Sequence, residues 1–242
     1  MPTVAPVYNQ TTLLFTPETS KGYKYYSENL KLISSNDFPE PDEQTLAIDN
    51  VIAENGKNAY CLTFIGYSAL GYAQPELLKK GLLTVLERSL EEHVDKKIVV
   101  VCGGTRVGIG IVYDLIQETE ALKEKVSCLG IVSELAKGDI QNDDVNQVFI
   151  PDPHQCWKTV TTVNGEPYSY MLYPAHRYGG EVLAFGGGEI GAEEVRQAKK
   201  MGLKTTIFFL EPDRANLLSK LNAGIQWQKL CAVLYNEGYR MG

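Results

Sequence analysis

No stretch of this chain approaches the ~20 consecutive apolar residues that a membrane span needs. Its opening, Met1-Pro2-Thr3-Val4-Ala5-Pro6, lacks the charged-then-apolar build of a signal peptide. A membrane partner is therefore not expected, and the expected location is cytoplasmic. Histidine is scarce, with three residues far apart in sequence. The five cysteines (Cys61, Cys102, Cys128, Cys156 and Cys231) form neither a Cys-x-x-Cys pair nor a Cys/His ligand spacing. No metal site is expected, and a reduced compartment is. Cys61, Cys102 and Cys128 fall in or beside apolar strand-like runs, where cysteine serves as a small hydrophobe. Positive charge is also short: the net charge is −7 and no Lys/Arg stripe occurs. That argues against duplex nucleic acid as a partner, because such surfaces work by neutralising many phosphates. It leaves room for a mononucleotide, whose one phosphate can be held by backbone N–H groups and a single arginine.

What the chain does have is length for one α/β domain, 242 residues with 44% apolar content, and two glycine clusters in matching contexts. Ile98–Cys102 runs into Gly103-Gly104-Thr105-Arg106-Val107-Gly108-Ile109-Gly110, and Val182–Phe185 runs into Gly186-Gly187-Gly188-Glu189-Ile190-Gly191. Each is an apolar strand-type run, then glycines, then a helical pattern. Such a junction brings backbone N–H groups and a positive helix end close to a ligand, which is the physics of a phosphate site. Tight strand-to-helix turns use glycine too, but the pair within one chain favours a nucleotide as the small-molecule ligand.

Around these clusters the pattern alternates strand and helix. Tyr60–Ile65 reads as a buried strand ending at Gly66-Tyr67-Ser68, and Pro75–Glu92 repeats leucines at helical spacing. A helix over about Gly110–Gln117, strands over Val126–Val132 and Gln147–Ile150, a helix Ala192–Met201 capped by Gly202, and a strand Thr205–Leu210 follow. Asp213 is a good N-cap for a final helical stretch from Arg214 to about Leu234. Residues 1–57 read as an N-terminal extension, extended at Phe38-Pro39-Glu40-Pro41-Asp42, with a short helix over Glu43–Ala53. Residues 58–242 read as the nucleotide-binding domain. Within it, Lys158–Val163 and Tyr168–Tyr173 alternate about Asn164-Gly165, which predicts a β-hairpin insertion at about 157–173. Its tyrosines either face the ligand or cover a sheet edge. The fold class expected is α/β, a doubly wound parallel sheet of Rossmann-like type, with ligands at the carboxyl ends of the strands.

The candidate ligand-binding residues are Gly66, Ser68, Gly103, Gly104, Thr105, Arg106 and Gly108, with Gly186, Gly187, Gly188, Glu189 and Gly191 from the second cluster. Arg106 can clamp a phosphate with its planar fork or stand solvated in its loop. Tyr67 and Tyr72 are candidates for stacking on a base, against an ordinary packing role. His176-Arg177, just ahead of the second-cluster strand, suits ribose or phosphate. Hydrolysis of an N-glycosidic bond needs a carboxylate to stabilise an oxocarbenium-like sugar and to activate water. Glu194 is the candidate, with Glu193 or Glu189 as substitutes; all three also simply favour the positive end of their helix.

The order of these elements resembles the Rossmann-like SLOG/LOG superfamily, which includes the LOG phosphoribohydrolases often described as lysine decarboxylase-like, DNA-processing DprA proteins and nucleotide-sensing SLOG domains. The resemblance covers about residues 59–210. LOG enzymes carry Pro-Gly-Gly-x-Gly-Thr-x-x-Glu at the second cluster. Here Phe185 stands for the proline, Gly186–Gly188 for the glycine pair and Glu194 for the glutamate, while Ile190-Gly191 replaces Gly-Thr. The resemblance implies Glu194 and an upstream arginine, nearest at Arg177, as catalytic residues. It also implies hydrolysis of a nucleoside monophosphate to base and ribose phosphate, no resident cofactor, and a homodimer. A non-catalytic nucleotide sensor is the alternative, since the Gly-Thr hydroxyl is missing. A second alternative is an NAD(P)-dependent oxidoreductase. Gly104-x-x-x-Gly108-x-Gly110 has the short-chain dehydrogenase spacing, yet no Tyr-x-x-x-Lys follows it.

Overall fold

Parallel strands buried on both faces must be apolar almost throughout, and Ile98–Cys102 is such a run, wholly buried. The structure, a computed structural model, describes residues 42–54, 58–137, 145–163 and 166–239. The expectations for Phe38–Pro41, Asn164 and Gly165 lie outside the described residues.

Six strands form one all-parallel sheet: β1 (Ala59–Gly66), β2 (Lys97–Cys102), β3 (Val126–Ser133), β4 (Asn146–Ile150), β7 (Gly180–Phe185) and β8 (Lys204–Phe208). Their spatial order is β4-β3-β2-β1-β7-β8. The chain therefore steps outward from β1 to β4, then returns to the other side of β1. This is a Rossmann-like α/β fold, as the alternation predicts. The reversal falls between β1 and β7, where sheets of this kind open a crevice at their carboxyl ends.

Successive side chains of β1 separate the two layers. Leu62 and Phe64 face α2 (Pro75–Glu92), α3 (Ile111–Glu118) and α7 (Arg214–Asn222), whose core residues include Leu82, Leu86, Val112, Tyr113 and Leu217. Cys61 and Ile65 face α1 (Glu43–Glu54), α5 (Tyr173–Tyr178), α6 (Glu189–Lys200) and α9 (Ala232–Asn236). The helix expected at Glu43–Ala53 is α1, and it forms part of a core layer. Ile48 and Ile52 are fully buried, and its start is fixed by a reciprocal cap, in which Thr45 N donates to Asp42 Oδ1 (2.8 Å) and Asp42 N to Thr45 Oγ1 (2.8 Å).

The helix expected at Ala192–Met201 starts three residues earlier, at Glu189, and the strand expected at Thr205–Leu210 is Lys204–Phe208; two other expected elements differ in more than their ends. The hairpin is β5 (Val160–Val163) paired antiparallel with β6 (Glu166–Ser169) in a separate sheet. The second strand does not run on to Tyr173, because Ser169 Oγ accepts from Met171 N at 3.2 Å and Pro174 suits the first turn of α5. Its tyrosines pack inward. Tyr170 donates to the Asp42 carboxylate, and Tyr173 and Tyr178 donate to Asp49 at 3.0 and 2.7 Å, holding α1 in place. At the C-terminal side, the single helix expected from Arg214 to about Leu234 is three pieces. α7 starts as predicted, with Asp213 Oδ1 accepting from Asn216 N at 2.9 Å. It closes where Gly224 N and Ile225 N donate back to Leu221 O and Lys220 O. α8 (Trp227–Leu230) and α9 then follow, separated by a non-helical Cys231. No helix among the described residues is long and apolar enough to cross a membrane.

Candidate functional site

The ends of β1, β2 and β7 bring together most of the residues singled out by sequence: Gly66-Tyr67-Ser68, Gly103–Gly108 and Gly186–Gly191. Arg177 is not among them. It lies on α5, ahead of the amino end of β7, so the strand's length, about 20 Å, separates it from the glycine loops. Its surroundings are instead Tyr173 and Tyr178, whose hydroxyls are pushed up chiefly by burial and by their bonds to Asp49, and slightly down by the Arg177 charge. The same placement removes His176 from the crevice.

Tyr67 and Tyr72 are buried and hold the crevice together. Tyr72 Oη donates to Phe185 O (2.8 Å) and accepts from Tyr67 N (3.1 Å), which ties the end of β1 to the end of β7. Neither ring is free to stack on a base. The Tyr67 ring, 2% exposed, lies under Gly186. Gly186 has φ 69°, and a Cβ there would come within 2.5 Å of Tyr67 Cε2 and 2.9 Å of Leu210 O, so only glycine fits. Tyr67 Oη makes no hydrogen bond of good geometry, although the Cys231 thiol and Gly187 N–H lie near it.

The second loop is occupied by the chain itself. Val233 N donates to Gly187 O at 3.1 Å, and a Cβ on Gly188 would meet Lys229 O at 3.3 Å and Leu230 O at 3.5 Å. Lys229 also pairs with Glu189 at 3.6 Å. The segment through α8 and α9 thus packs over Gly187 and Gly188, just ahead of α6, and leaves the side chains of Glu189 and Ile190 exposed. Gly191 is needed for helix–sheet contact, since a Cβ there would reach 2.7 Å from Ile65 Cγ2. Internal packing accounts for these glycines.

The first loop is different. Gly108, at φ 65°, lies against the Tyr67 and Ser68 carbonyls, and Ile109 N donates to Tyr67 O at 2.7 Å, so the loop is locked onto the end of β1. Around Gly103, by contrast, nothing lies within 4 Å of where a Cβ would stand. Gly104 is buried beside Gly130 of β3, and Ser68 and Arg106 are exposed. Thr105 is half-buried, and its hydroxyl donates within the loop to Val107 O at 3.4 Å. The open part of the crevice is therefore the Gly103–Arg106 backbone and its surroundings.

Glu194 sits on the second turn of α6, 8% exposed, accepting from Ser169 Oγ at 2.8 Å. Ser169 N donates to Gln197 Oε1 (2.8 Å), and Thr159 Oγ1 lies 3.4 Å from Ser169 Oγ. Burial pushes the Glu194 carboxyl up to about 7, opposed by the Ser169 hydrogen bond and helped by the neighbouring Glu193 charge. The Cys102 thiol at the end of β2 is pushed up to about 12, mainly by burial, with a smaller contribution from the charge of Glu194. Glu193 is held low by Arg196, which bonds it at 2.6 and 2.9 Å, and serves the helix surface.

One group escaped the sequence reading. Asp152, just past β4, accepts from Ser133 Oγ (2.9 Å), Cys156 N (3.1 Å), Cys156 Sγ (3.4 Å) and Trp157 N (2.7 Å). Its own N–H donates to Glu134 Oε1 at 3.0 Å. The available signal was Pro151-Asp152-Pro153 directly after an apolar run, which marks a turn at a strand's carboxyl end. Among the described residues no group of three or more His, Cys, Asp or Glu side chains could hold a metal ion. No protein-family model matches the chain, and no curated protein matches it.

Proposed function

We propose that the chain binds a nucleotide or nucleotide-derived small molecule in the crevice outside the carboxyl ends of β1, β2 and β3. The observation that carries this reading is the Gly103–Arg106 loop standing open at the carboxyl end of β2, one strand away from the reversal of strand order between β1 and β7. In α/β sheets that is where ligands are held. Backbone N–H groups of the loop meet the phosphate, the exposed Arg106 neutralises it, and Ser68 supplies a hydroxyl. Binding without turnover, as in a sensor, needs nothing more.

Turnover is the second reading, favoured by Glu194 alone. A carboxyl at about 7 exchanges its proton near neutral pH, which suits general acid–base work. In N-glycoside hydrolysis the bond between ribose C1′ and the base breaks, a water oxygen bonds to C1′, and the water's proton passes through Glu194 to the departing base. Incubating the protein with AMP, GMP, CMP, UMP, NAD and ADP-ribose, then separating products by chromatography, tests both readings. Free base that disappears in Glu194→Gln supports hydrolysis. A rise in melting temperature with intact ligand supports binding alone. No shift and no product with any compound refutes the proposal.

A further inference from the structure

Trp157 is the one exposed Phe, Tyr or Trp side chain among the described residues, at 55% exposure, and it belongs to none of the three apolar clusters. Its backbone has φ 61°, a conformation that bulky residues rarely adopt and that needs outside support. The support is the Asp152 carboxylate, which takes the Trp157 N–H at 2.7 Å and the preceding Cys156 N–H at 3.1 Å. A burying role would explain a strained tryptophan, but this one is mostly in solvent.

Its position follows from what lies on either side. Asp152 binds Ser133 at the carboxyl end of β3, so Trp157 starts from that end of the sheet. Two residues later, Thr159 O accepts from Tyr170 N at 2.7 Å, and Thr159 Oγ1 lies beside the Ser169 that bonds Glu194. Two residues span at most about 7 Å. Trp157 is therefore suspended between the end of β3 and the Glu194 cluster, at the carboxyl edge of the sheet, where β2, the neighbour of β3, runs into the Gly103 loop. Val107 of that loop and Ile190 of the first turn of α6 are also exposed, at 58% and 37%. The carboxyl rim thus carries apolar surface around a polar, glycine-lined opening.

We propose that Trp157 is the stacking platform for the aromatic base of the ligand, with Asp152 as the residue that positions it. This rests on the nucleotide reading and narrows it, because the ligand must carry a planar heteroaromatic ring as well as a phosphate. Stacking tolerates any base, so the platform gives affinity for nucleotides as a class over sugar phosphates.

The chain has two tryptophans, Trp157 and Trp227, so Trp227→Phe leaves Trp157 as sole reporter. In that protein, AMP or ADP-ribose is expected to quench the emission with the dissociation constant found by calorimetry, while ribose 5-phosphate leaves it unchanged. Trp157→Ala is expected to weaken AMP about ten-fold or more, consistent with the loss of one stacked base. Trp157→Phe restores part of this loss, and neither variant shifts the melting temperature. Asp152→Ala should weaken AMP while leaving ribose 5-phosphate affinity as it was. Calorimetric binding of AMP with no change in emission, or with equal affinity in Trp157→Ala, overturns the platform and leaves the nucleotide reading standing. Absence of calorimetric binding by every nucleotide overturns both.

Discussion

Replacing Glu194 by Gln gives a stability effect whose size depends on pH. In the folded chain this carboxyl titrates at about 7, against 4.5 when free in water, because burial penalises its charge. The folded state therefore binds more protons than the unfolded state between those values, and stability falls as pH rises through the window. Each pH unit carries about 1.4 kcal/mol, so the charge costs about 3 kcal/mol by pH 8. Below pH 4.5 the carboxyl is neutral in both states and the cost vanishes. Gln keeps an oxygen to accept from Ser169 Oγ and has no charge to bury. Denaturant unfolding at pH 5 and pH 8 is the assay. Near pH 5 the variant should match wild type to within about 1 kcal/mol. At pH 8 it should be the more stable protein by up to about 3 kcal/mol, less whatever its unpaired amide proton costs. A variant equally destabilised at both pH values would refute the reasoning, since the carboxyl would then be ionised and supported in the fold.

Three further substitutions separate packing glycines from an open one. Gly186→Ala, forced against Tyr67 and held at positive φ, should cost about 3 kcal/mol in denaturant unfolding; a loss under about 0.5 kcal/mol contradicts the geometry. Gly103→Ala should leave stability within about 0.5 kcal/mol, because nothing lies within reach of its Cβ, yet weaken AMP in calorimetry. Tyr72→Phe removes the hydroxyl that bridges Phe185 O and Tyr67 N, and should cost about 1–3 kcal/mol by leaving those buried groups without it; unchanged melting would show that the bridge does not matter.

Much of the fold was legible in the sequence because local signals were strong. Pro75 opens α2 and its leucines repeat at helical spacing, so the predicted span matches the observed one. Asp213 caps α7, and Gly202 N closes α6 on Lys199 O. What stayed illegible depends on contacts distant in sequence. Arg177 and Glu194 both lie within ten residues of the second glycine cluster along the chain, but α5 precedes β7 and α6 follows it, which puts them at opposite ends of a strand. The break at Cys231 has no local cause in propensity; it serves the bond from Val233 N to Gly187 O, more than forty residues away in sequence. A glycine that faces open space and one that faces a tyrosine ring are the same letter, so Gly103 and Gly186 could not be told apart. Likewise Trp157 gave no periodic signal, because its placement comes from a carboxylate five residues earlier.

Whether the Gly103 loop holds the ligand is decided by calorimetric titration of AMP and ADP-ribose into wild type and into Gly103→Val. The substitution places a branched side chain in the open end of β2 while leaving the packed loop alone. Saturable binding to wild type, weakened at least ten-fold in a variant with unchanged unfolding, is the predicted result. Equal binding to both proteins would move the ligand elsewhere on the chain, and no binding to wild type would contradict the account.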